Sequence, residues 1–228
     1  MVVPKYAVLD PEMTRDLPPG ITSTTGMDAL TRAVEAYLCW TYNTRESIRL
    51  AEEAVCGIFR YLERAYRDGN DMEARTQMLI ASYKAGFAFT RAGCTTPPHG
   101  LANAVILPIV LEDYGAAAEK KLARLAELTG MKSEGTEGEK TAAFIAEIRA
   151  MNRRMEIPTG FDHIREEDIP QMVRWALVEA NPVYPVPVIY DEARCEAVIR
   201  RIIAEARPGD GTQRKSEGKE LCSFPSLF

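Results

Sequence analysis

The stretch Leu101–Val110 reads Leu-Ala-Asn-Ala-Val-Ile-Leu-Pro-Ile-Val and carries no charge. As a helix it has no face suited to water, and a helix that is apolar all round must be surrounded by other elements. The run is therefore expected to form a buried helix. Pro108 lies inside the run. It lacks the N–H that a helix interior needs, so it is expected to kink or end this helix.

The flanking sequence supplies the covering helices. Asn43-Thr44-Arg45-Glu46 resembles a capping box led by Asn, and Ile48, Ala51, Val55, Ile58, Phe59 and Leu62 then recur at steps of three and four, one face of a helix. Asp68-Gly69-Asn70 stops that helix, and a second one starts at Asn70-Asp71-Met72-Glu73 and ends at Gly93. Further helices are predicted over Lys120 to Leu128, over Lys140 to Met155, from Glu167-Asp168-Ile169-Pro170 onward, and over Asp191 to Ala206. Residues 132–138 read as an exposed linker, and Asn181 to Pro187 as a Pro-stiffened extended connector.

One strand is expected, Tyr6 to Leu9, between Pro4 and Asp10-Pro11. It is an orphan, since no second strand is visible to pair with it. The fold class is therefore all-α, with many helices preceded by one orphan strand. Three parts follow: a remnant strand over 1–10, a helical domain over 11–206, and a polar tail over 207–228 expected to be disordered.

The net charge of −5 argues against a nucleic-acid partner, because phosphate binding needs a positive field. No apolar run approaches the ~18 residues of a membrane span. Cys39, Cys56, Cys94, Cys195 and Cys222 form an odd set without a CxxC pair, which excludes a disulfide framework or a zinc knuckle. Reduced thiols and the lack of a signal-like N-terminus point to the cytoplasm.

Only two histidines exist. His99 follows Pro97-Pro98 just before the apolar helix, where the helix dipole favours a neutral, ligand-competent imidazole. A hydrogen-bonded turn histidine is the plainer alternative. His163, flanked by Asp162, Arg165 and Glu166, is expected to be solvated. Asp28 reads as a first-turn carboxylate, with Arg32 four residues on. An exposed pair at that spacing is worth only ~0.2–0.5 kcal/mol.

Several segments together resemble the C-terminal half of the iron-containing alcohol dehydrogenase family. They are Leu9-Asp10-Pro11-Glu12-Met13-Thr14 with Leu17-Pro18, Thr25-Gly26-Met27-Asp28-Ala29-Leu30-Thr31, Glu73-Ala74-Arg75 to Phe89, Pro98-His99-Gly100-Leu101-Ala102-Asn103-Ala104 with Leu107-Pro108, and Glu179-Ala180-Asn181-Pro182. Order and spacing agree from about residue 4 to 206, apart from one gap.

The resemblance implies a dehydroquinate-synthase-like helical domain that follows a Rossmann-like domain, with Tyr6 to Leu9 as that domain's last strand. It implies oxidation of alcohols or reduction of carbonyls with NAD(P), and iron or another divalent metal as Lewis acid. Of the family's ligands, Asp28 matches the aspartate and His99 the last histidine. Arg32 stands where a histidine is expected, and the short Gly93-Cys94-Thr95-Thr96-Pro97 joint omits a stretch holding another. No catalytic or nicotinamide-binding residue carries over. The resemblance therefore implies a domain inactive alone, with metal bound weakly or not at all. The alternative is a non-catalytic helical interaction module, or half of a split dehydrogenase. The expected partner is a second copy of the chain or a separate Rossmann-like chain, docking on an apolar patch around Tyr6 to Leu9.

Overall fold

The structure, a computed structural model, describes residues 6–94, 100–132, 134–180 and 185–206, without the side chain of Glu179. His99, most of the 181–187 connector, and the 207–228 tail with Cys222 therefore lie outside the described residues.

Among the described residues there are eight α-helices and no strand. The expected strand at Tyr6 to Leu9 is not formed. Its backbone is irregular, and Tyr6 and Val8 are 90% and 93% exposed. A single extended segment has no neighbour to take its N–H and C=O groups, so nothing fixes it as a strand. A 3₁₀ turn, Pro11–Thr14, follows, with Asp10 as its cap.

Helix α1 runs over Pro19–Leu38, α2 over Arg45–Arg67 and α3 over Met72–Arg91, and the three pack on one another. Helix α4, Gly100–Tyr114, lies against α1, α5, α6 and α8. Helices α5 (Ala116–Leu128) and α6 (Glu137–Arg154) form one pair, and α7 (Ile169–Ala180) and α8 (Glu192–Glu205) another. The all-α expectation holds.

Helix α4 is the axis of the molecule. Every residue from Asn103 to Leu111 is buried. Pro108 neither ends it nor leaves a carbonyl stranded. The N–H that proline lacks would have met the carbonyl of Ala104, four residues earlier. Asn152 of α6 donates its Nδ2 to that carbonyl at 2.6 Å. The neighbouring helix thus replaces the missing ladder bond, and the run stays helical through Tyr114.

Helix α1 begins nine residues before Asp28, which therefore sits mid-helix rather than in a first turn. Pro19 suits a helix start. The Ser-Thr-Thr-Gly run that follows looks unfavourable, but Ser23, Thr24 and Thr25 turn their hydroxyls back onto the carbonyls of Gly20 and Ile21. Gly26 lets α1 and α2 touch, for a Cβ there would stand 2.2 Å from the Leu62 Cδ1. Burial on this face outweighs weak helix propensity.

The capping chemistry shifts by one residue at α2. Thr44, not Asn43, is the cap, in a reciprocal box with Ser47. Asn43 instead donates to the carbonyls of Tyr37 and Cys39 at the end of α1. Lys121 donates to the Tyr37, Leu38 and Cys39 carbonyls at 3.0 Å each, so the last turn of α1 is closed by side chains from two directions. Gly93 ends α3 at φ +77°, with Cys94 N–H on the Phe89 carbonyl and Gly93 N–H on the Thr90 carbonyl, as expected of a glycine stop. Helix α6 starts at the end of the expected 132–138 linker, because Thr136 and Glu139 cap each other.

The C-terminal helices are tied to α4 by charge. Glu112 accepts from Arg149 of α6 and Arg201 of α8, and both arginines also bind Glu205. Burial works to raise the Glu112 carboxyl, but hydrogen bonds and charge from Arg149 and Arg201 outweigh it and hold it below its ordinary 4.5. A depressed carboxylate stabilises the fold above the unfolded value and loses that contribution as the pH falls through its folded value.

Two outcomes follow. Urea denaturation should show a stability that holds above about pH 5 and declines below about pH 4.5. Asn152→Leu should cost about 1–3 kcal/mol, the penalty of an orphaned buried carbonyl. The same change should cost clearly less in a Pro108→Ala background, where residue 108 regains an N–H for the Ala104 carbonyl, as a double-mutant cycle would measure.

Candidate functional site

Two of the side chains singled out from the sequence, Asp28 and Arg32 of α1, meet Asn103 of α4 and Phe89 of α3. Asp28 is buried, 8% exposed, although carboxylates rarely are. Arg32, one turn on, donates its Nε to Asp28 Oδ2 at 2.8 Å. Asn103 of α4 donates its Nδ2 to Asp28 Oδ1 at 2.7 Å. Both carboxylate oxygens thus receive nitrogen donors, one from the same helix and one from across the interface. The Arg32 guanidinium also lies over the Phe89 ring of α3, 5.3 Å from its centroid.

This differs from the exposed i,i+4 pair that local reasoning suggests. Only 12% of the Asp28 side chain and 22% of that of Arg32 remain accessible. Charged groups so far out of water require hydrogen-bonded partners. Asn103 is the functional neighbour that residue-by-residue reading misses. Its signal was present, as the sole polar side chain in the uncharged run Leu101–Val110.

His99 directly precedes α4 but is outside the described residues. His163 is remote from this site. It sits beside Phe161, with centroids 5.5 Å apart, its Nδ1 3.7 Å from Asp162, and it is substantially solvated as expected. Cys94 is buried next to a small apolar pocket that Val34, Leu38, Leu107 and Tyr114 also line. Cys195, in α8, has its thiol pushed up to about 12 by burial, so it stays a neutral thiol packed in the core. Among the described residues no three His, Cys, Asp or Glu side chains group together as they would to hold a metal ion.

A second cleft, of about 110 Å³, lies between the N-terminal turn, α1 and α3. Arg75 lines it and is 3% exposed. Its guanidinium already donates to Thr22 Oγ1 and to the carbonyls of Gly69, Arg15 and Leu17. Burial lowers its pKa. Its bonds fasten the N-terminal segment to α1 and α3.

The family model for the C-terminal part of the Fe-containing alcohol dehydrogenases matches residues 22–203. The chain belongs to this family. Alcohol dehydrogenase 4 of Saccharomyces cerevisiae is 33% identical over 217 residues, covering 88% of this chain and 55% of the yeast protein. The NAD-dependent methanol dehydrogenase of Bacillus methanolicus is 33% identical over 204 residues, covering 79% of this chain and 52% of the relative. Among solved structures, a 1,3-propanediol oxidoreductase superposes with a TM-score of 0.79 at 32% identity, covering 85% of this chain and 54% of that one. A sulfoacetaldehyde reductase from Bifidobacterium kashiwanohense, solved with NAD+, gives 0.73 at 26% identity, with coverages of 86% and 53%. The chain spans about half the length of the curated relatives it matches.

Asn103→Asp tests how closely the Asp28 site is coupled. Two carboxylates at that distance cannot both ionise cheaply, so one folded-state pKa rises above its unfolded value. Stability is then present at low pH and lost as the pH rises through the raised value. The variant should be more stable at pH 5 than at pH 8, while the parent is flat across that range; thermal melts at the two pH values would show it.

Proposed function

We propose that these residues form the helical half of an iron-type, NAD(P)-dependent alcohol dehydrogenase relative, and that this half does not oxidise alcohols by itself. The observation that carries the reading is coverage: helices alone account for a match to roughly half of each full-length relative. Hydride transfer needs a bound nicotinamide placed against the substrate.

The metal side of the reading agrees. A catalytic divalent metal is normally held by at least three protein ligands and keeps an open position. Here Asp28 and His99 are the two residues that match ligands, and Arg32 replaces a third. The donor set does not fit a tight iron site, and we derive no chemical step through iron.

Two roles remain for such a half. In the first, a separately supplied Rossmann-like chain docks on it and completes a split dehydrogenase. The exposed Tyr6, Val8 and Met13 near the N-terminus favour a docking role, since exposed apolar side chains gathered on one segment promote association. In the second, it is a non-catalytic interaction module or a homo-oligomer. The free thiols of Cys39, Cys56 and Cys195 suit a reducing, cytoplasmic setting for either role.

Reduced-nicotinamide fluorescence titration and elemental analysis of the purified 228-residue chain test the proposal together. The expected result is no nicotinamide binding, no stoichiometric iron or zinc, and no turnover of ethanol or 1,3-propanediol. Turnover by the chain alone would overturn it. Turnover only after adding a Rossmann-like chain would select the split-enzyme role.

A further inference from the structure

We infer that the Arg32 guanidinium is a permanent internal substitute for a cation at Asp28, so that this site is a metal-independent clamp between α1 and α4. The inference rests on the reading of the chain as a relative with an incomplete metal site, and it explains what the remaining ligand residue does.

Four observations converge. Arg32 Nε stands 2.8 Å from Asp28 Oδ2, where it supplies the positive charge a buried carboxylate requires. The other oxygen is held from α4 by Asn103 at 2.7 Å, so the carboxylate bridges two helices. Phe89 of α3 lies against the guanidinium and limits the rotamers through which Arg32 could swing away. All three partners are largely withdrawn from water, where exchange of a charge is costly.

A divalent cation arriving at Asp28 would have to displace Nε and then sit beside a guanidinium that never loses its proton. In a partly desolvated site that repulsion is severe. Arginine here both blocks the cation and makes it unnecessary. The consequence is a domain whose α1–α4 junction keeps its geometry in the absence of iron, unlike a site whose charge balance depends on a bound ion.

The test uses the whole chain and reads thermal stability. Wild-type protein is melted with EDTA and with millimolar Zn²⁺, Mn²⁺ or, anaerobically, Fe²⁺. A site of micromolar affinity would raise Tm by roughly 10 °C under these conditions. The inference expects a shift below about 3 °C with every cation and with chelator. A larger rise with any of them that disappears in Asp28→Asn overturns it, as does a comparable fall with EDTA.

A second arm examines the pair itself. Arg32→Met keeps the stem over Phe89 and removes the charge, and Asp28→Asn removes the opposite charge. Each should lower Tm by roughly 5 °C, and the double variant should fall clearly less than the sum of the two. Strict additivity would overturn the ion-pair role even if no metal binds. Nicotinamide binding does not enter either arm, so a chain that binds the cofactor would refute the functional proposal and leave this inference standing.

Discussion

The organisation of this protein follows from α4 having no side that water can wet. Residues Asn103 to Leu111 are all buried, so helices must approach from every direction. Helices α1, α5, α6 and α8 do so, and each of the α1–α3, α5–α6 and α7–α8 groups borders this axis through at least one member. A central helix of this kind is unforgiving toward polar atoms, because any unpaired donor or acceptor along it is sealed from solvent.

Polar features along α4 are met from outside it. The Ala104 carbonyl, left over by Pro108, takes the amide of Asn152. Asn103 donates to Asp28. Glu112, at the far end, is gripped by Arg149 and Arg201. These partners lie on three helices, Asp28 on α1, Asn152 and Arg149 on α6, and Arg201 on α8, so satisfying the axis also fixes how the neighbouring helices sit. Hydrophobic burial draws the helices together without direction. These bonds choose one arrangement among the many that burial would allow.

The family relationship and the local chemistry carry different messages. The helical framework has the family's shape, and similarity extends through residues 22–203. At the junction of α1 and α4, a buried aspartate is paired with an arginine one turn along the helix. A buried carboxylate must be neutralised by something. In this chain the Arg32 guanidinium does so. Framework and activity are therefore separable, which is why helical similarity alone does not assign turnover.

Much of the fold was legible in the sequence. Apolar spacing marked α2, the uncharged run marked α4, and Gly93, Asp71 and Asp191 marked helix ends. Misreadings arose where a distant group decided a local outcome. Pro108 looked like a helix stop because its substitute donor lies in Asn152, 44 residues later. Asp28 looked like a first-turn residue because the Ser-Thr-Thr-Gly stretch disfavours helix, until packing against Leu62 is counted. Tyr6 to Leu9 looked like a strand because its composition is that of one, yet pairing needs a partner. That the chain is helical and that one of its helices is buried follows from periodicity and composition alone, which are properties of the chain. That Asp28 is a buried bridge between α1 and α4 rather than a solvated pair depends on packing, because burial and the reach of Asn103 exist only once the helices are together.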